Sequence, residues 1–133
     1  MSIEENKKLV RRYCEEVFDQ GRLDLMDQFL APDSSSYGPG YLENIKRKLA
    51  KCRAALSDVS FHIEDMIAEA DKVVVRGTYR AIHDRAEWLG MAPTGNRLKE
   101  TLIDIFRVQE GKIVEVWSES SGPQPQPEES PST

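Results

Sequence analysis

Near the start of the chain, Leu9, Val10, Tyr13, Cys14, Val17 and Phe18 are spaced by threes and fours, which puts them on one face of an α-helix. Ser2 followed by Glu5 has the form of a capping box, and Gly21 ends the pattern, so a first helix is predicted between them. Leu23, Met26, Phe29 and Leu30 predict a second, short helix closed by Ala31-Pro32-Asp33, the two forming a hairpin around one apolar seam. The polar stretch from Asp33 to Gly40 reads as a turn-rich connection. Leu42, Ile45, Leu49, Cys52 and Leu56 then mark a third amphipathic helix. Its basic residues, Lys46, Arg47, Lys48, Lys51 and Arg53, read as a solvated face.

From Asp58 the period becomes two. Val59, Phe61, Ile63, Asp65 and Ile67 fall on one side of a strand, with Ser60, His62, Glu64 and Met66 on the other. Ala70-Asp71 turns the chain into a second strand, Lys72 to Arg80, rich in β-branched residues. The irregular stretch around Trp88-Leu89-Gly90-Met91-Ala92-Pro93-Thr94-Gly95 reads as a rim loop or lid. A long strand from Leu98 to Val108, a turn at Gln109 to Lys112 and a strand from Ile113 to Trp117 or slightly beyond complete the pattern. Helices followed by a meander of long strands predict an α+β fold, with N-terminal helices packed on a curved, mostly antiparallel sheet that encloses a pocket. We expect one domain over residues 1–120 and a disordered, Pro-rich tail over residues 121–133, because proline cannot donate to a sheet ladder.

Composition narrows the function. The 133 residues carry 18 Lys and Arg against 23 Asp and Glu; outside residues 118–133 the balance is 18 bases to 20 acids, which offers no global attraction to nucleic acid. No apolar run approaches the roughly 20 residues of a membrane span, and the N-terminus lacks the apolar core of a secretory signal, so a cytoplasmic protein is expected. Cys14 and Cys52 lie on the apolar helical stripes and read as core thiols. Two separated histidines and two such cysteines make no metal set, and no phosphate-loop spacing accompanies Gly90 to Gly95, so no metal and no cofactor is expected.

Several segments, taken in order, carry a resemblance: Val10-Arg11-Arg12-Tyr13 through Glu16 to Gly21 with Leu23-Asp24-Leu25; Phe29-Leu30-Ala31-Pro32-Asp33; Ile63 to Val73; Pro93-Thr94-Gly95; Ile103-Asp104-Ile105-Phe106-Arg107; and Gly111 to Glu115 with Trp117. The chain resembles the SnoaL-like polyketide cyclase (ester cyclase) group of the nuclear transport factor two-like superfamily, small cystatin-like α+β cones with an internal pocket. The resemblance implies ring closure by intramolecular aldol chemistry, with an acid in the last strand near Ser118 acting as general acid/base. Here that position holds Ser118, and a Gly-Thr-His-x-Gly pattern has become Ala81-Ile82-His83-Asp84-Arg85, which keeps only the histidine.

The residues themselves offer other chemistry. Asp104 shares its strand face with Leu102, Phe106 and Val108, so a carboxylate projects from an apolar surface, where burial raises its pKa into the range useful for proton transfer. An ion pair with Arg76, Arg80 or Arg107 is the structural alternative. His83, at the end of the second strand, is the second catalytic candidate, as a proton donor or acceptor toward a carbonyl; packing against the loop is its alternative. Asp65, Tyr79, Trp88, Phe106 and Trp117 are candidate substrate-binding residues, the four aromatics as walls for a flat apolar ligand.

Three functions follow. The first is a cofactor-independent cyclase- or isomerase-type enzyme that uses carboxylate acid/base chemistry on a hydrophobic carbonyl compound. The second is a non-catalytic protein that binds a hydrophobic small molecule. The third is a homodimeric interaction module, joined through the sheet and compatible with either of the others; its support is the apolar residues on both faces of the Leu98 to Val108 strand.

Overall fold

The computed structural model describes residues 2–32 and 40–126. Residues 33–39 of the turn-rich connection expected from Asp33 to Gly40, and the last part of the tail, 127–133, lie outside the described residues. α1 spans Ile3–Tyr13, capped by the Ser2 hydroxyl, which accepts the Glu5 N–H at 3.1 Å. The expected single helix up to Gly21 changes winding: Cys14–Asp19 form a π-helix. Arg53 holds its end by donating to the Phe18 carbonyl and, at 2.8 Å, to the Asp19 carbonyl. A 3₁₀ turn, Leu23–Leu25, leads into α2, Met26–Phe29, and α3 runs from Tyr41–Ala55.

Four long antiparallel strands follow in meander order: β1 Leu56–Glu69, β2 Lys72–His83, β3 Arg97–Gln109 and β4 Lys112–Ser120. Glu110 and Gly111 make the two-residue turn between β3 and β4, both in the left-handed region that such a turn requires (φ 51° and 75°). The sheet continues where a disordered tail is expected. β5, Gln124–Pro125, pairs with Leu98 and Lys99 of β3 beyond the end of β4, and the Gln126 N–H reaches the Arg97 carbonyl at 2.8 Å. An edge position of this kind tolerates proline, whose missing donor would face away from the ladder.

The core lies between α1, the π-helix, α2 and the concave face of the sheet. Val10, Cys14, Val17, Phe29 and Leu30 pack there against Val73, Val75, Phe106 and Ile113. β1 departs from strict alternation. A register shift between Ile63 and Asp65 inserts a residue, so Phe61 faces the core before it while Met66 and Ala68 pack on the core after it. Asp65 and Ile67 are thereby turned to the convex face, where Ile67 is 66% exposed, contrary to the single phase the sequence predicts.

Candidate functional site

Between α3 and the concave face lies a cavity of about 480 Å³. Tyr41, Ile45, Lys48, Leu49 and Cys52 fall on one helical face and form its α3 wall. Tyr13 and Phe18 come from α1 and the π-helix, Tyr79 from β2, Leu102, Asp104 and Phe106 from β3, and Val116 and Ser118 from β4. Trp88 and Leu89 sit at the rim, so the stretch expected to be a rim loop is one. A separate open groove of about 660 Å³, between the start of α1 and the hairpin tips at Asp71 and Glu110, brings together no comparable set of reactive groups.

Asp104 is where strand alternation places it: on the concave face of β3, 4% exposed, with Val75 opposite on β2 and Ser118 opposite on β4. Its Oδ1 is buried without a hydrogen-bond partner, and none of the arginines weighed as ion-pair partners holds it: Arg76 pairs with Asp65, Arg107 with Glu115, and Arg80 points to the other face. Desolvation therefore dominates and lifts the carboxyl from 3.8 to about 6; a hydrogen bond from Ser118 and the Lys48 charge act in the opposite direction. Desolvation also lifts the Tyr41 hydroxyl, with the Asp104 charge adding to it, and raises Tyr79 further.

Tyr79 and Phe106 line the cavity. Tyr79 packs on Phe61 in a tilted pair at 4.7 Å centroid distance, and Phe106 meets Tyr13 edge-on at 6.0 Å. Three expectations need correction. His83 is buried, but its Nε2–H is engaged by the Ala86 carbonyl at 2.7 Å and its ring packs against Trp88. Its backbone also ties down the Thr94 to Asn96 loop, so it braces the rim and is not brought to Asp104 or to the cavity lining. Asp65 lies on the convex face in a 2.7 Å ion pair with Arg76, because of the bulge before it. Trp117 also lies on the convex face, 45% exposed beneath the Lys72 ammonium, because the β3–β4 register turns its neighbours Val116 and Ser118 inward.

Tyr41 carries no functional signal in the sequence, and Lys48 is exposed as its solvated helix face predicts; that both also border the cavity is hinted at only by the helical stripe they share with Ile45, Leu49 and Cys52. Ser118 stands out for a different reason. The position where the resemblance implies an acid and the acid actually present face each other across one strand pair.

Helices on an open, curved antiparallel sheet over an internal cavity define a protein of the nuclear transport factor two-like cone class. The model of the SnoaL-like polyketide cyclases matches residues 8–120, and the chain belongs to that family. Among solved structures it is similar to TsrD from Streptomyces laurentii, with a TM-score of 0.79 and 22% identity over 91% of each chain. It is also similar to AclR from Streptomyces galilaeus, a candidate hydroxylase, with a TM-score of 0.77 and 25% identity over 90% of this chain and 77% of that one. IdmH from Streptomyces antibioticus, a candidate polyketide cyclase, has a TM-score of 0.71 and 25% identity over 87% of this chain and 91% of its own. No curated protein matches the chain. Among the described residues no helix is long and apolar enough to cross a membrane, and no group of three or more His, Cys, Asp or Glu side chains is placed to hold a metal ion.

Proposed function

We propose that the protein is a cofactor-independent enzyme of the cyclase or isomerase type, with Asp104 moving a proton on a hydrophobic carbonyl compound bound in the cavity. The observation that carries this reading is a carboxylate on a largely apolar wall with one oxygen unpartnered and a pKa of about 6, near which a group both takes and gives a proton. Family membership supports it: Asp104 lines the cavity from β3 directly across from Ser118, the position where the sequence resemblance implies an acid. The ionised Asp104 would remove a proton α to the carbonyl, and the protonated form would return it to the product carbon or oxygen. Ser118 holds the carboxylate in place, and Tyr79, Phe106 and Trp88 flank the substrate.

The test is hydrogen–deuterium exchange, by proton NMR, at the α-carbon of a panel of aromatic β-ketoesters. The protein is expected to accelerate exchange, with a rate that rises through about pH 6 as Asp104 ionises and then levels off. Saturable binding with exchange no faster than buffer would remove the catalytic reading and leave a protein that only binds its ligand.

We also propose that the chain forms a homodimer through its convex face. Ile67, Val74, Ile105 and Trp117 are consecutive register partners across all four strands and make one apolar row. Charged rows border it, with Asp65–Arg76 on one side and Arg107–Glu115 on the other. Sedimentation velocity at micromolar concentration should show a dimer for the native chain and a monomer for Trp117→Glu. A monomeric native protein rejects the interface.

A further inference from the structure

The basic run of α3 is not uniform. Lys46 pairs with Asp27 at 2.7 Å, Arg47 donates to Asn44 at 3.3 Å, and Arg53 caps the π-helix. Lys48 has no carboxylate within ion-pair distance among the described residues, yet it lies on the cavity stripe between Ile45 and Cys52, close enough for its charge to be felt at Asp104. Arg80 and Lys99 also border the cavity, but they are register partners at strand positions that send their side chains to the convex face. Lys48 is therefore the one basic side chain among the described residues that lines the cavity from α3, at its solvent-exposed edge.

We infer that the cavity selects an apolar molecule carrying one acidic oxygen group, a carboxylate or an enolic or phenolic oxygen, whose negative charge pairs with Lys48 while its apolar body lies among the aromatic and aliphatic walls. This rests on the pocket reading above and adds the ligand's charge. Three features support it. Lys48 is held in no ion pair among the described residues, although the Glu100 and Asp104 carboxylates line the same cavity, and a cation left unpaired at the edge of a largely apolar cavity favours an incoming anion more than it would in water. Lys46 and Arg53, its neighbours on α3, are already engaged, and neither lines the cavity. Finally, Asp104 in its protonated form offers the cavity a second donor toward an oxygen of the ligand.

The test uses two fluorescent probes that share one ring system: anilinonaphthalene sulfonate, which is an anion, and N-phenylnaphthylamine, which is neutral. Each is titrated at low ionic strength, and below the Asp104 midpoint, into the native protein, Lys48→Met and Lys99→Met. Methionine keeps the apolar stem of Lys48 and removes only its charge. We expect the sulfonate to lose about tenfold or more in affinity in Lys48→Met, as a charged hydrogen bond does when one partner is removed. The neutral probe should bind that variant as it binds the native protein, and Lys99→Met should change neither. If both probes bind and Lys48→Met leaves the sulfonate unchanged, or weakens both equally, the anion assignment is wrong while the pocket stands. If neither probe binds the native protein, the pocket reading fails and this inference fails with it.

Discussion

Asp104→Asn is expected to slow catalysed α-proton exchange by on the order of 100-fold or more while leaving the cavity walls in place, because the amide keeps the carboxylate's shape and cannot take up the proton. The same change should make the fold more stable at high pH. The carboxyl ionises at about 6 in the folded chain against an ordinary 3.8. Below the lower value it is protonated in both states and costs nothing. Between the two, the unfolded chain gives up its proton first, so stability falls as pH rises; above about 6 the whole cost, about 3 kcal/mol, is in place. Urea unfolding should therefore show the Asn variant more stable than the native chain by about 1–3 kcal/mol at alkaline pH, with a smaller gain near pH 4. A gain in stability paired with a loss of turnover is the mark of a group held in an unfavourable setting for its chemistry. A variant that exchanges as fast as the native chain, or that is less stable at alkaline pH, would count against both halves of the argument.

Gly77→Ala tests the wall on the other side of the cavity. Gly77 lies on the concave side of β2, with Ile63 opposite on β1 and Leu102 opposite on β3. A Cβ there would sit 2.2 Å from Phe61 Cζ and 2.6 Å from Cε1. Its φ lies outside the left-handed region, so the demand for glycine is one of space: the Phe61 ring lies directly over the backbone. Phe61 in turn packs on Tyr79 at 4.7 Å and on Phe18 at 5.4 Å, and both of those rings line the cavity. Overpacking of this kind should cost about 1–3 kcal/mol and displace the aromatic wall. Combining the change with Phe61→Leu removes the clash, so the double variant should lose less than the sum of the two single losses; strict additivity would mean that the ring does not set the requirement.

These two residues also mark what the sequence makes legible. Alternation along β3 puts Asp104 beside Leu102, Phe106 and Val108, and the structure keeps all four on one buried face, because a central strand paired on both sides has no freedom to change phase. Tyr79 and Phe106 follow from the same rule. Asp65 does not, because one inserted residue in β1 reverses the face and nothing in the residues between Ile63 and Asp65 announces it. The apparent availability of His83 disappears for a local reason, a loop that brings the Ala86 carbonyl back onto its ring. Trp117 reads as an interior aromatic by its size, but the pairing of Ser118 with Asp104 leaves it outside. That Tyr41 and Lys48 border a cavity is not legible from a helix that alternation within the sheet cannot address: whether a helical stripe faces a packed core or a cavity depends on what stands across from it.

The most direct test of the central claim is the titration of Asp104 itself, followed through the side-chain carboxyl carbon in labelled native protein, with Asp104→Asn to assign the resonance. A midpoint near 6 is expected, from a carboxyl desolvated on the cavity wall. A midpoint at or below 3.8 would describe a solvated or ion-paired carboxylate and would contradict the proposal that this residue carries the proton.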